Sequence, residues 1–508
     1  MVYHWADVIA EKVIREKSDR KNYTVAVGIT PSGTIHIGNF REIITVDLVK
    51  RALENKGKKV RFIYSWDEYD VFRKVPKNMP KQEMLKKHLR MPVVDIPDPF
   101  GKEDSYARHF EVEVENDIAR VGIKPEFLYQ AKKYRNCEYA DGIKVALQKT
   151  EEIKEFLNRY RKEPLDDDWL PLTGFCPKCN KDEIKFTDYD GKYNLKMTCD
   201  CGENLNVDIR KASFIKLRWR IDWPMRWKFE KVDFEPAGKE HYANPGGSRI
   251  TANEMVKAIF DFDHPVDLKY DFITIKGAGG KMSSSLGNVI TLRDCLEIYE
   301  LEIVRWLFAG TRPATEFAIS FDVDVLKIYE DFDKCERIYF KEQEAKNDKD
   351  YETQKRNYEL SAIELSKKIP LQPSFRHLTT LVQLYEGDIA KVEKEVGKGK
   401  RVKIRAECAK NWVKKYAPED MKFKIVKKAK IKDKEVVRKV IEKIDDKISD
   451  KDLHEEIYKI CKEAGYEPKD FFKMFYQMLI KKDRGPKLAS FLLIIGRNRL
   501  SEIFSDVV

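Results

Sequence analysis

The sequence contains no long apolar run. No stretch approaches the ~20 consecutive apolar residues that are needed to span a bilayer. The opening MVYHWADVIAEKVIREK has charges every few positions instead of the unbroken apolar core of a secretory signal, and its spacing is typical of an amphipathic helix. We therefore expect a cytoplasmic protein that is neither exported nor inserted into a membrane.

Cysteine and sequence repetition are also scarce. The chain has nine cysteines among 508 residues. Without a secretory signal they do not indicate a disulfide framework, especially since four of them lie close together in the sequence. No internal repeat or low-complexity tract is visible. This cysteine usage also favours the cytoplasm.

The chain is long and highly charged. A chain of 508 residues exceeds the size that one hydrophobic core supports, so several domains are expected. Hydrophobic residues make up 42% and charged residues 36%, which is enough apolar material for a core beneath a charged surface. The net charge of +11 favours a polyanionic partner such as nucleic acid.

Strand and helix patterns alternate in the first ninety residues. YTVAVGIT (23–30) leads through a Pro-Ser-Gly turn into an amphipathic stretch, and VRFIYS (60–65) forms a second strand pattern. This βαβ rhythm predicts a parallel, doubly wound sheet. The rhythm returns at DFITIKG (271–277), after a mainly helical region over 103–163 and a small metal module over 170–210. The sheet is therefore predicted to be split by an insertion.

The final third of the chain is predicted to be helical. After about Trp306 the strand signal disappears, and charged amphipathic patterns continue almost to Val508. Breaks are expected near Pro370, Pro418 and Gly485. The strongly basic run over 421–445 is typical of a solvated helix face more often than of a specific site.

Four cysteines have the spacing of a metal site. Cys176 and Cys179 are separated by two residues, and Cys199 and Cys201 by one. An Asp-Gly turn between the pairs predicts a hairpin that brings them together as a zinc ribbon. Four thiolates leave no open coordination position, so the zinc should have a structural role. Four ordinary buried cysteines are the alternative.

A second group of possible ligands follows the second predicted strand. It consists of Asp95, Asp98, Glu103 and His109. Its spacing fits no standard metal template, and surface carboxylates with one partnered histidine explain it more simply. A second metal is kept only as an alternative.

Two segments could hold a nucleotide. TPSGTIHIGN (30–39) lies where a strand ends and a helix begins, the position at which α/β sheets bind phosphates. There Gly33 and Gly38 allow backbone N–H groups to approach an anion, and His36 can donate to phosphate oxygens. KGAGGKMSSSLGN (276–288) is a Gly-rich loop in which Lys281 could neutralise a departing pyrophosphate. Either segment alone would more often be structural.

Together, HIGN and KMSSS resemble the HIGH and KMSKS signatures of class I aminoacyl-tRNA synthetases. The match departs at Asn39 and at Ser284, where the family often has histidine and lysine. Further segments resemble the class I lysyl-tRNA synthetases found mainly in archaea; they are SWDEYDVFRKVP (65–76), FEPAGKEHYANPGGSR (234–249), RWLFAGTRP (305–313) and NWVKKYAPED (411–420). The resemblance covers nearly the whole chain.

This resemblance implies an α/β fold, a Rossmann-type doubly wound parallel sheet split by a helical and zinc-ribbon insertion and followed by an all-α C-terminal domain. The expected divisions are the first Rossmann half over 1–102, the insertion over 103–235, the second Rossmann half with the KMSSS loop over 236–305, and a helical connector with an anticodon-binding domain over 306–508. No editing domain is evident.

The implied reaction joins lysine to tRNA(Lys) at the expense of ATP. The lysine carboxylate attacks the α-phosphate, giving lysyl-adenylate and pyrophosphate, and the lysyl group then passes to the terminal ribose of the tRNA. His36 and Lys281 are the expected catalytic residues, and Mg²⁺ is expected with the ATP phosphates. The expected ATP-binding residues are Pro31, Gly33, His36, Gly38, Asn39, Gly246, Gly247, Ser248, Lys281, Met282, Ser283, Ser284 and Ser285.

The choice of lysine depends on charge as well as on resemblance. Ala26 stands where the related glutamyl enzymes have an arginine for their substrate's carboxylate. A cationic substrate instead needs acidic or aromatic partners, which the strand ends offer as Asp67, Glu68 and Asp70, with Tyr242 as a further aromatic face. The expected lysine-binding residues are Gly28, Thr30, Asp67, Trp219, His241 and Tyr270, of which Gly28, Thr30 and His241 follow from the resemblance.

Two other functions remain open from the sequence. A nucleotidyl transferase that acts on a small molecule would use the same HIGH-type loop, although the basic helical third argues against it. A non-catalytic zinc protein that binds RNA would explain the cysteines and the charge but not the HIGN and KMSSS segments. The sequence favours a monomer.

Overall fold

The structure, a computed structural model, describes residues 4–276, 289–445 and 447–505. Within these ranges the chain forms two compact units. The first unit consists of residues 4–276, 289–295, 304–319 and 345–365, and the second consists of residues 296–303, 320–344, 366–445 and 447–505. The functional divisions expected from the sequence follow different lines and stay a prediction.

A parallel sheet forms the centre of the first unit. Among the described residues its strands, in spatial order, are β10 (Val266–Tyr270), β9 (Phe234–Gly238), β1 (Asn22–Ile29), β2 (Lys59–Trp66) and β3 (Glu126–Tyr129). Every neighbouring pair runs parallel. The predicted doubly wound parallel sheet is thus confirmed.

The strand order has one reversal, and it lies beside β1. From β1 the chain proceeds to β2 and β3 on one side, and it then returns to β9 and β10 on the other. Val25 of β1 is aligned with Phe234 of β9. In such sheets, ligands bind in the crevice outside the carboxyl ends of the strands at this reversal.

Helices pack on the sheet and form much of the rest of the described chain. In chain order they are α1 (Trp5–Glu16), α2 (Ile37–Asn55), α3 (Gln82–Lys87), α4 (Tyr106–Arg120), α5 (Gln130–Arg135), α6 (Ala140–Gln148), α7 (Thr150–Asn158), α8 (Trp219–Glu230), α9 (Ser248–Phe260), α10 (Leu292–Ile298), α11 (Leu301–Ala309), α12 (Asp324–Tyr339), α13 (Asp348–Ser361), α14 (Phe375–Leu384), α15 (Ile389–Val396), α16 (Lys400–Lys415), α17 (Lys434–Glu442), α18 (Asp450–Glu463), α19 (Pro468–Ile480), α20 (Leu488–Ile495) and α21 (Arg497–Ile503). Helix α2 is buried on most faces because it packs on β1, β2 and β9 and is contacted by α1 and α13.

The insertion between β3 and β9 contains two antiparallel sheets. Strand β4 (Leu172–Gly174) pairs with β8 (Ile215–Leu217), and a three-stranded ribbon is formed by β5 (Ile184–Thr187), β6 (Asn194–Cys199) and β7 (Asn204–Asp208). The connection between β5 and β6 contains Gly191 at φ +78°, a value that glycine adopts without strain. The expected Asp-Gly hairpin is present.

The strand predicted at DFITIKG does not join the main sheet. Its residues Ile273–Ile275 form β11, which pairs in parallel with β12 (Phe317–Ile319) in a separate two-stranded sheet. The place beside β9 is taken by the preceding segment, β10. The prediction that strands end near Trp306 was therefore wrong, because β12 is too short for an alternating pattern to show.

A buried arginine joins distant segments of the first unit. The Arg305 side chain is fully buried and its guanidinium lies 2.6 Å from the Asp47 carboxylate. It also donates to the backbone carbonyls of Val121, Leu360 and Ser361. Helices α2, α4, α11 and α13 are therefore connected through one charged group.

The second unit is helical in the part that the structure describes, and the predicted breaks at Pro370, Pro418 and Gly485 all fall between helices. Its buried charges are paired. Arg405 forms salt bridges with Glu300 and Asp333, and Arg401 forms salt bridges with Glu300 and Glu336. Across the described residues of both units, no helix has the length and apolarity that crossing a membrane requires.

Candidate active site

A cavity of about 260 Å³ lies at the reversal of strand order. Its walls come from the carboxyl-terminal parts of β1, β2 and β9, from the residues after β2, and from helix α8. This is the place at which the topology predicts a ligand.

Most of the expected lysine-binding residues line this cavity; they are Gly28, Thr30, Asp67, Trp219 and His241. Tyr270 lies behind the wall, where its hydroxyl donates to the Glu42 carboxylate at 2.6 Å. Trp219 remains 46% exposed at the start of α8, so its indole is accessible to a ligand.

Acidic side chains outnumber basic ones in the cavity wall. The acidic residues are Glu42, Asp67, Asp70, Asp222, Glu230 and Glu235, whereas the lysines and arginines are Lys216 and Arg226. Sequence analysis identified only Asp67 and Asp70, because the others lie in helices or strands where a single charge has no distinctive pattern. An excess of carboxylates suits a ligand that carries ammonium groups.

Both basic residues are already engaged. Lys216 lies 2.7 Å from Asp70, and the Thr30 hydroxyl donates to the same carboxylate at 3.1 Å. Arg226 lies 2.6 Å from Asp67 and 3.3 Å from Asp222. These pairs hold the strand-end carboxylates in place and neutralise much of their charge.

Glu42 differs from its neighbours. It lies on α2, and among the described residues no lysine or arginine forms a salt bridge with it, although Tyr270 donates a hydrogen bond to it. Burial raises the pKa of its carboxyl to about 8, and the nearby Glu235 adds to the increase. Glu235 accepts from the indole N–H groups of Trp223 and Trp227. Glu42 is therefore a wall carboxyl without a salt bridge to a described lysine or arginine, and it can ionise beside a bound ammonium.

Two residues expected near the ligand lie elsewhere. Glu68 is turned away from the cavity, and its carboxylate accepts from the backbone N–H groups of Gln130 and Ala131 at the start of α5. Such an arrangement satisfies donors that a helix leaves free at its first turn. Tyr242 lies in the short 3₁₀ helix Lys239–Tyr242 and does not line the cavity.

The HIGN segment forms the start of α2. The backbone N–H of Gly38 donates to Nδ1 of His36 at 3.0 Å, and the backbone N–H of His36 donates to Oδ1 of Asn39 at 3.2 Å. Because Nδ1 accepts, the neutral imidazole has its proton on Nε2, where it can be donated. Asn39, the departure from the family pattern, completes this capping box.

His36 also lines a smaller cavity of about 60 Å³ together with Thr291 and Arg293. The Ile37 N–H donates to the carbonyl of Ile290 at 2.8 Å. The chain that follows the KMSSS segment therefore returns to the HIGN segment. The predicted residues Lys281, Met282, Ser283, Ser284 and Ser285 lie outside the described residues.

The segment with the expected ATP-binding residues Gly246, Gly247 and Ser248 adjoins the cavity through His241. Gly246 has φ +80°, and a Cβ on Gly247 would lie 2.5 Å from the carbonyl oxygen of His241. Ser248, the first residue of α9, is buried, and its Oγ lies 2.7 Å from Nδ1 of His241. The loop residues therefore fix the histidine that lines the cavity. Pro31 and Gly33 are buried in the turn after β1.

Comparison with known proteins decides the family. The model of the family "tRNA synthetases class I (K)" matches residues 3–364. This chain belongs to the class I (K) tRNA synthetases. The family resemblance predicted from HIGN and KMSSS is thus confirmed.

Individual relatives extend the match over nearly the whole chain. A lysine–tRNA ligase of Borrelia garinii subsp. bavariensis is 50% identical, with 99% of each chain covered. A lysine–tRNA ligase of Thermococcus kodakarensis is 44% identical over 97% of this chain and 98% of the relative. Among solved structures, a glutamate–tRNA ligase of Elizabethkingia meningosepticum gives a TM-score of 0.43 at 12% identity, covering 95% of this chain and 98% of that one.

The four cysteines of this class I synthetase come together in the insertion. Their sulfur atoms all lie within 4.8 Å of one another, and both Cys176–Cys201 and Cys179–Cys199 have Sγ–Sγ distances of 3.7 Å. Tetrahedral zinc with Zn–S bonds of 2.3 Å requires sulfur separations of about 3.8 Å. The donor set therefore fits Zn²⁺.

The other predicted metal group is not assembled. Asp95 pairs with Arg135 and accepts from Asn180. Asp98 accepts from the backbone N–H groups of its own loop and lies 3.3 Å from His109. Among the described residues, the four cysteines are the only group of three or more potential ligands that could hold a metal ion.

Proposed function

We propose that this class I synthetase activates L-lysine with ATP and transfers it to the 3′-terminal ribose of tRNA(Lys). The observation that carries the proposal is the acidic cavity beside the HIGN helix start, where the Glu42 carboxyl has a hydrogen bond from Tyr270 but no salt bridge to a described lysine or arginine. The relatives named lysine–tRNA ligase support the same substrate.

Glu42 is the proposed partner of the lysine ε-ammonium. Asp67 is paired with Arg226, and Asp70 is paired with Lys216. These two pairs hold the side chains in place around the ligand, and each pair carries little net charge. Trp219 at the start of α8 can cover the aliphatic stem or stack on the cation. Gly28 lines the β1 wall, where a Cβ would make ordinary contact with Cβ of Ser65 at 3.5 Å and with the Asp67 carboxylate at 3.8 Å.

The proposed chemistry needs no protein nucleophile. A carboxylate oxygen of lysine bonds to the α-phosphorus of ATP as the bond to the β-phosphate oxygen breaks, which gives lysyl-adenylate and pyrophosphate. The ribose hydroxyl of tRNA then attacks the lysyl carbonyl and AMP leaves. Nε2–H of His36 donates to phosphate oxygens as charge develops, and Lys281 stabilises the leaving pyrophosphate.

Two metals accompany this proposal. Zn²⁺, held by Cys176, Cys179, Cys199 and Cys201, would stabilise the ribbon without taking part in catalysis, since four thiolates complete its coordination. Mg²⁺ would neutralise the ATP phosphates that hold it. We also propose a cytoplasmic monomer in which the helical region from about 330 to 508 binds the anticodon half of tRNA.

The test is ATP–pyrophosphate exchange with each of the twenty amino acids, with and without tRNA. Lysine should give the highest rate, and norleucine, which lacks only the ammonium, should be activated orders of magnitude less well. Preferential activation of another amino acid would overturn the lysine assignment. Exchange without any aminoacylation of tRNA would favour a nucleotidyl transferase that acts on a small molecule.

A further inference from the structure

An exposed aromatic cluster lies on the surface of the second unit. His454 and Tyr458 are on α18, one helical turn apart, and Phe472 is on the facing α19. The His454 and Tyr458 ring centroids are 4.9 Å apart, and those of Tyr458 and Phe472 are 5.4 Å apart. Tyr458 is 42% exposed and His454 is also exposed. Large exposed aromatic surfaces often mark a binding site.

The rings of this cluster contact one another at two different angles. The His454 and Phe472 rings are nearly parallel, at 11°, with centroids 6.4 Å apart. Tyr458 is inclined to both of them, at 66° and 65°. Because Tyr458 and His454 keep exposed surface, a flat ligand can reach the cluster.

A cavity of about 420 Å³ opens beside the cluster. His454, Phe472, Tyr476 and Leu488 form its aromatic and apolar wall, and its charged residues are Lys451, Lys487 and Asp450. The Asp450 carboxylate accepts from the Ser490 hydroxyl at 2.7 Å. Neither lysine forms a salt bridge with any described residue. On α18, positions 451, 454 and 458 share one face, so a cation adjoins the two aromatic rings.

A second cavity, of about 630 Å³, shares Lys487 with the first. Arg376, Arg484 and Asp420 also line it, and Arg376 pairs with Glu330 at 3.2 Å. The two cavities therefore lie along one path on which the cations outnumber the carboxylates. Aromatic faces next to a cationic path are the combination by which proteins hold unpaired nucleotides.

We propose that the cluster of His454, Tyr458 and Phe472 stacks unpaired nucleobases of the tRNA anticodon loop, while Lys451 and Lys487 contact the adjoining phosphates. The inference rests on the proposed function, because that function supplies the tRNA. Bases stack on aromatic side chains with little regard to sequence. The cluster therefore contributes affinity more than base identity.

The test measures binding of full-length protein to tRNA(Lys) transcripts that carry 2-aminopurine at single anticodon-loop positions. The fluorescence of this base is quenched by stacking, so a purely structural role would not reproduce its change. The double variant His454→Ala/Tyr458→Ala should raise the Kd for tRNA roughly 10-fold or more and change the quenching at one or more positions. Tyr458→Phe, which keeps the ring, should leave both readouts near wild type.

Lys451→Gln/Lys487→Gln should reduce the dependence of log Kd on log salt, since phosphate contacts are lost. Leu371→Ala, which removes another exposed apolar side chain of the second unit, serves as the matched control and should change neither Kd nor quenching. Thermal unfolding of every variant checks that the helices remain intact.

Lysine-dependent pyrophosphate exchange, measured at saturating tRNA, separates the two proposals. No exchange in the wild type would contradict the proposed function. Normal exchange together with unchanged tRNA affinity and quenching in the double variant would overturn the stacking role alone. Concentration-dependent dimerisation of the wild type that Tyr458→Ala abolishes would also overturn it, and would assign the cluster to a second copy of the chain.

Discussion

Glu42 shows how burial determines the chemistry of one side chain. A carboxyl whose pKa is about 8 is mostly protonated at neutral pH, so an ammonium that binds beside it must displace a proton. The ionised form that attracts lysine becomes more populated as the pH rises toward 8. The affinity for lysine should therefore increase over the same interval.

We expect the lysine KM in pyrophosphate exchange to fall between about pH 6 and pH 8, by up to ~10-fold per pH unit. Glu42→Gln should raise the KM roughly 10- to 100-fold at pH 8, the usual range for losing a hydrogen bond to a charged group, and should remove most of the pH dependence. Glu54→Gln, on the exposed face of the same helix, is the control. A variant that keeps the wild-type pH profile would assign the dependence to another group.

Lys281 can be tested although it lies outside the described residues. Lys281→Ala should slow pyrophosphate exchange about 10²- to 10³-fold, because a donor to the transition-state charge is lost, while lysine binding changes less. Lys257→Ala removes an exposed surface lysine and should leave the rate unchanged. If Lys281→Ala also keeps its rate, the KMSSS segment has no catalytic role.

At the scale of elements, the zinc ribbon should be stabilised by its metal. Cys179→Ser removes one thiolate from a closed site, so zinc should be lost and the insertion should unfold first, with activity falling as a consequence. Elemental analysis and limited proteolysis measure the two effects. Cys137→Ser, which changes a cysteine outside the cluster, should retain zinc. Zinc-free protein with a protease-resistant insertion would contradict the metal site.

Replacing Arg305 tests how much a buried ion pair stabilises the first unit. Arg305→Met leaves Asp47 with only its less buried partner Arg51, at 3.0 Å, and removes the arginine donor from the carbonyls of Leu360 and Ser361. The loss of one partner of a buried ion pair typically lowers the free energy of unfolding by about 3–5 kcal/mol. Urea denaturation followed by circular dichroism should show it, whereas Arg159→Met at an exposed salt bridge should shift the midpoint little. Equal midpoints would assign Arg305 a minor structural role.

For the whole molecule, the net charge of +11 predicts tRNA binding that weakens steeply with salt. Reversing Lys424, Lys427 and Lys430, which are exposed in the basic run of the second unit, should weaken tRNA binding and flatten the salt dependence. Reversing Lys228, Lys231 and Lys257, which are exposed in the first unit, is the matched control. If both sets act alike, the effect is one of net charge alone.

The sheet could be predicted because its signals are local. YTVAVGIT is a buried run followed by a Gly-containing turn, and that pattern depends on neighbouring residues only. The position of DFITIKG could not be predicted in the same way. Whether a short strand pairs with β9 or with β12 depends on a partner more than thirty residues away, and the alternation within three residues does not distinguish them.

The parts of the site that lie at the ends of strands could be predicted from the sequence. Asp67 and Asp70 follow β2 directly and do line the cavity. Glu68, between them, lies in the turn after β2 and caps α5 instead, and the direction of a side chain in such a turn cannot be predicted from an alternating pattern. Glu42 was missed because it lies on a helix, where a lone glutamate usually faces solvent.

The alignment of Val25 in β1 with Phe234 in β9 also has a consequence for synthesis on the ribosome. At elongation rates of 5–20 residues per second, about 10 to 40 seconds separate the emergence of these two strands. During that interval the β9-facing edge of β1 has no partner, and an unpaired strand edge is a template for aggregation. The nascent chain is thus most exposed to aggregation through this edge at the stage before β9 emerges.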